Sequence, residues 1–187
     1  MKIISYNETN FTLVVAFPRD HSYEKIYEFF DIPKYIYDSL ESSSYPQDYF
    51  NERIWNQGFE YNCNWNSIDH LLLYIGKNAL GFEPPVEVNT QRLDGDTPLH
   101  IACYWGDVSA VEILLEHGAN PNTKGDMGCT PLYTTVSFGN LRCAKLILEA
   151  GADVNDNNEV SRDSSLDLAM TEGNERFGNL FKKSIKK

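Results

Sequence analysis

The chain has 187 residues, of which 42% are hydrophobic and 13% aromatic, a globular rather than a disordered composition. Sixteen Lys and Arg stand against 27 Asp and Glu, a net charge of −11, which excludes a nucleic-acid binder working through clustered cations and favours a basic partner. The apolar stretch at residues 11–17 is far shorter than the roughly 20 residues that span a bilayer, and it lacks the flanks of a signal peptide. Cys63, Cys103, Cys129 and Cys143 show neither CxxC nor paired metal-ligand spacing. A reduced, cytoplasmic protein without metal, cofactor or membrane anchor is expected.

From the N-terminus, residues 2–6 and 11–17 flank Asn7-Glu8-Thr9-Asn10 and read as a hairpin, with a single strand as the alternative. Residues 22–31, with Ile26, Phe29 and Phe30 apolar, read as a helix interrupted by Pro33, and residues 34–41 as another. Residues 42–65 read as irregular and aromatic: Tyr45, Tyr49, Phe50, Trp55, Phe59, Tyr61 and Trp65. Such rings pack against a neighbouring layer or, alternatively, form a partner face. Residues 1–65 are thus expected to be an aromatic-rich capping region, α or α+β.

Periodicity governs the remainder. Ile68, Leu71, Leu72 and Ile75 form a helical stripe, followed by Val86-Glu87-Val88-Asn89, so residues 66–90 read as a degenerate half-repeat. Thr97-Pro98-Leu99-His100 recurs after 33 residues as Thr130-Pro131-Leu132-Tyr133. Gly106-Asp107 recurs as Gly139-Asn140, Gly118-Ala119-Asn120 as Gly151-Ala152-Asp153, and Asn89, Asn122 and Asn155 keep the same spacing. A third copy follows with one residue inserted: Ser164-Ser165-Leu166-Asp167-Leu168-Ala169, then Gly173-Asn174. Each copy encodes a helix pair. A Thr cap precedes Pro at the first helical position, glycine ends the first helix, and Val108, Val111, Leu114 and Leu115 stripe the second.

These residues resemble the ankyrin repeat, whose signature is T-P-L-H-x-A. The resemblance covers about residues 89–187, with copies at 91–123, 124–156 and 157–187. It implies a mainly α solenoid of stacked helix pairs, with turns projecting from it, behind an N-terminal cap containing the hairpin. His100 then has a structural role between copies. Tyr133, Thr135, Ser164, Ser165 and Asp167 depart from the pattern, and Gly178 is expected to interrupt the last helix.

No H-E-x-x-H, P-loop, G-x-S-x-G or G-x-G-x-x-G is present, and no catalytic residue is nominated. Acids concentrate in the repeats: residues 90–175 hold fourteen Asp or Glu against five Lys or Arg. The resemblance implies that turn tips and the first-helix face contact partners. By register these are Leu93, Asp94, Asp96, Tyr104 and Trp105, then Asp126, Met127 and Phe138, then Glu159 and Glu172. Trp105 and Phe138 are equivalent and are expected to be exposed anchors ringed by acid, with packing onto the N-terminal part as the alternative. The function expected is protein binding without catalysis. An acidic inhibitor of the immunity-protein kind fits best: a monomer that neutralises one basic partner, such as a toxin, in a one-to-one complex. An adaptor joining two proteins is the alternative, and an enzyme in residues 1–65 is a third.

Overall fold

The computed structural model describes residues 2–17, 25–54, 57, 59–63, 65, 67–79, 81–82, 85–171 and 175–184. The chain divides into two compact units, Met1–Asn64 and Trp65–Lys187.

Among its described residues the first unit holds four antiparallel strands, each paired with the next in chain order, and two helices. Strands β1 (Lys2–Asn7) and β2 (Thr12–Phe17) form the expected hairpin, with Asn7 paired to Thr12. The expected helix at residues 22–31 is overturned where the structure describes it. Lys25–Phe29 is strand β3, paired with β2 from Leu13↔Phe29 to Phe17↔Lys25. The pattern there has period two: Tyr27 and Phe29 are buried while Ile26 is exposed, and β-branched and aromatic side chains suit a pleated surface. Helix α1 (Lys34–Ser42) follows Pro33, as expected.

Residues 42–65 are more regular than their composition suggests. Pro46–Arg53 is helix α2, and Tyr61–Cys63 is strand β4, which adds to β3 through Tyr27↔Cys63 and Phe29↔Tyr61. Phe29 contacts Phe50 edge-on at 5.4 Å and lies 5.4 Å from Tyr61. With Leu13, Val15, Leu40 and Ile54 fully buried, this unit has its own core.

The second unit opens with α3 (Ile68–Asn78), capped by Ser67. Three helix pairs follow: α4 (Pro98–Trp105) with α5 (Val108–Glu116), α6 (Pro131–Ser137) with α7 (Leu141–Glu149), and α8 (Ser165–Thr171) with α9 (Glu175–Ser184). The first helices pack in a row, α4 on α6 on α8, and the second helices likewise, α5 on α7 on α9. Leu99, Val111, Leu114, Leu132, Cys143, Ile147 and Phe181 bury one continuous core. Burying each large side chain stabilises by roughly 1.5–3 kcal/mol.

The period recurs in the hydrogen bonds. Asn89 Nδ2 donates to Gly118 O at 3.0 Å while its Oδ1 accepts from Asn120 N, also at 3.0 Å. Asn122 does the same to Gly151 O at 3.2 Å and Asp153 N at 2.8 Å. The turns close alike: Arg92 N bonds to Asp96 O and Gly125 N to Cys129 O, both at 2.8 Å. In the third copy Asn158 N bonds to Asp163 O at 2.9 Å, so the inserted residue is absorbed in the turn. There Ser164 and Asp167 cap each other, Ser164 Oγ donating to Asp167 Oδ2 at 2.7 Å and Asp167 N to Ser164 Oγ at 3.1 Å.

The expected interruption at Gly178 does not occur. Helix α9 continues through it because Phe177 and Phe181, one turn apart, are both buried and anchor the helix on either side.

Candidate functional site

Helices α4 and α6 and the two turns before them enclose an open groove of about 410 Å³. Six of the ten residues nominated from the sequence line it: Asp96, Tyr104, Trp105, Asp126, Met127 and Phe138. Leu93 and Asp94 stand outside it at an exposed tip, Leu93 fully exposed. Glu159 is exposed beside it, its side chain over Gly128. Glu172 lies outside the described residues.

The floor begins with His100, which is buried. Its Nδ1 accepts from Thr97 N at 3.1 Å, so Nε2 carries the proton and donates to Cys129 O, also at 3.1 Å. One ring thereby caps its own helix and holds the next turn, the structural role expected of it. Burial pushes its pKa down, and the nearby Asp96 carboxylate offsets part of that. Gly125 makes the close approach of the turns feasible, since a Cβ there would collide with Asp96 Oδ1 and stand 2.9 Å from His100 Nε2.

The walls are aromatic. Tyr104 lies in the last turn of α4 and Phe138 follows α6; their rings meet edge to face with centroids 4.7 Å apart, and each is about half exposed. Trp105 departs from expectation. It is half-buried, with its ring 5.9 Å from that of Tyr74 on α3. Phe138 and Trp105 are equivalent in sequence and each stacks on the element before it, yet only Phe138 leaves a broad open face.

The acidic rim is less free than the sequence implies. Arg92, which the sequence reading passed over, bonds to both Asp94 carboxylate oxygens and lies 3.3 Å from Asp96 Oδ2. The guanidinium holds the Asp94 carboxyl below its ordinary range. Asp96 also accepts from Asp126 N at 3.0 Å, tying one turn to the next. These two carboxylates are therefore largely structural, whereas Asp126 is exposed. The signal for Arg92 was its spacing of two and four residues from two acids.

Met127 is exposed with φ +54, a left-handed conformation that a Met side chain adopts only under strain. The equivalent residue in the preceding copy is Asp94, whose Oδ1 accepts from Asp96 N at 3.1 Å. Met127 has no such local bond to offer. Cys129, also at the groove, has its thiol pKa pushed up by burial, and Asn158 Nδ2 donates to its sulfur at 3.0 Å. Among the described residues no group of three or more His, Cys, Asp or Glu is placed to hold a metal ion, and no helix is long and apolar enough to cross a membrane.

A family model for ankyrin repeats, in three copies, matches residues 61–158, just over half of the chain. The chain belongs to the ankyrin-repeat family. The ankyrin match begins before α3 and ends at residue 158, so it spans α3 and the helix pairs α4–α5 and α6–α7 and almost none of the expected third copy at 157–187. Its ankyrin repeats make the chain a protein–protein interaction module. A second family model, the KTSC domain, matches residues 1–59, and that segment is similar to it. No curated protein matches the chain.

Proposed function

We propose that this ankyrin protein binds one basic protein through the groove between Tyr104, Met127 and Phe138 and neutralises it, with no reaction of its own. The carrying observation is the groove itself: two exposed rings and an exposed thioether, with Asp126 at the mouth, on a chain of net charge −11. Exposed aromatics in a concavity supply contact area, and surrounding acid speeds the encounter with a basic surface. Trp105 supports the wall and Asp96 the turn, so of the residues nominated from sequence Tyr104, Asp126, Met127 and Phe138 are the proposed contacts.

The test is capture by the tagged chain from its native host at 50 and 300 mM salt, with the captured protein identified and weighed in complex. One basic protein at one-to-one stoichiometry, lost with Tyr104→Ala/Phe138→Ala and weakened by salt, is expected. Equal capture by that double variant would sink the proposal.

A second reading, an adaptor, is favoured by one observation. Residues 1–64 form a separate unit with its own core, similar to a different family. Two proteins held at once, only one of them sensitive to the groove substitutions, would establish it.

A further inference from the structure

We infer that the groove is a receptor for a single arginine side chain, presented on an extended segment of the partner. This inference rests on the groove being the protein-binding site and names the chemistry that fills it.

Shape comes first. The open volume suits one long side chain better than a helix face, and Tyr104 and Phe138, crossed at 83°, offer ring surface at its side. A planar guanidinium stacks on such faces and is more weakly hydrated than an ammonium, so it loses less on leaving water. Met127 completes the wall with a polarizable thioether that adapts to an aliphatic stem.

Charge comes second. Asp94 and Asp96 bond to one guanidinium, that of Arg92, and Asp126 lies near enough to act on it electrostatically, so three carboxylates stand against one cation and the rim keeps an excess of negative charge. Asp126 is the exposed carboxylate at the mouth, and it complements a second guanidinium arriving there.

Conformation adds a third point. Met127 occupies a left-handed position that Asn would fill at lower strain. The thioether at the groove is thus kept against the backbone's preference, the relation found where local strain serves recognition.

The chain contains three methionines, so methyl-labelled methionine gives a sparse NMR spectrum in which Met170, exposed on α8 and not lining the groove, is the internal control. The probes are a nine-residue Gly/Ser peptide with one central arginine and the same peptide with citrulline, its neutral isostere, titrated into the full chain. The Met127 signal is expected to move saturably with the arginine peptide, at least tenfold more weakly with citrulline, and not at all with arginine in Asp126→Asn. Met170 stays still. In Met127→Asn, followed through the Tyr104 and Phe138 ring signals, affinity for the arginine peptide falls while the urea midpoint rises. Equal response to both peptides, or none from Met127 at millimolar arginine peptide, overturns the inference. If the Tyr104→Ala/Phe138→Ala variant still loses the captured protein in that event, the groove remains the binding site and only its arginine specificity fails.

Discussion

His100 shows how much one side chain settles in this molecule. Its neutral ring accepts at Nδ1 from its own helix cap and donates at Nε2 to the following turn, so a second proton on Nδ1 would confront Thr97 N–H. The folded-state pKa is lowered, which means that the unfolded chain binds the extra proton first. Stability from this residue is therefore complete above the unfolded value of about 6.5 and lost as pH falls below it. His100→Gln keeps a donor for Cys129 O and cannot titrate. Urea midpoints should show the wild type ahead at pH 8 and the gap narrowing by pH 5; a gap constant with pH would refute the assignment. The resemblance to the ankyrin repeat implied this role. What the register could not disclose was Arg92, because its claim on Asp94 and Asp96 depends on how the turn folds back.

At the level of elements, the sequence was most legible where period and turn chemistry agreed. The Thr-Pro starts, the glycine stops and the Asn spacing placed α4 to α7, because each is a local rule of capping or backbone conformation. Strand β3 was misread because Ile26, Phe29 and Phe30 match a helical stripe in a short window, and the pairing of β3 with β2 and β4 decides otherwise. Helix α9 was misread for the opposite reason: a glycine weakens a helix only modestly, and two buried Phe outweigh it. Gly178→Ala should then stabilise, since a Cβ there meets Met170 Sδ at an ordinary 3.6 Å. The expected gain is about 0.5–1 kcal/mol, a rise in melting temperature of about 1–4 °C by calorimetry. A fall would mean that the α8–α9 contact has no room for a methyl group. Half of the groove was legible in the same way. Tyr104, Asp126, Met127 and Phe138 fall at tip and face positions, while Trp105 was misjudged because its burial depends on Tyr74, a residue outside the recurring motif.

For the whole molecule, two separate cores make two separately testable units. Leu114 is fully buried in the second unit, and truncating such a side chain removes about 2–5 kcal/mol. Hydrogen exchange on Leu114→Ala should accelerate across α4–α8 and leave the strands of the first unit unchanged. Acceleration in both would show that the units unfold together. The arrangement also separates duties. Repeats hold one another through Asn side chains, His100 and the bond from Asp126 N to Asp96, while the open rings and the Asp126 carboxylate take no part in those bonds, so their substitution is expected to leave the fold intact.

The turn of the third copy shows where the chain absorbs a change of length. It holds one residue more than its predecessors, yet Asn158 still closes on Asp163, an isolated bridge joins Asn157 to Ser164, and Arg162 takes up the slack at φ +64. The Ser164–Asp167 cap behind it is undisturbed. An insertion in a helix would rotate every following side chain by about 100°, whereas one in a tip stays where it falls. The tips are thus the places where the chain can be lengthened or shortened while the scaffold behind them stays in phase.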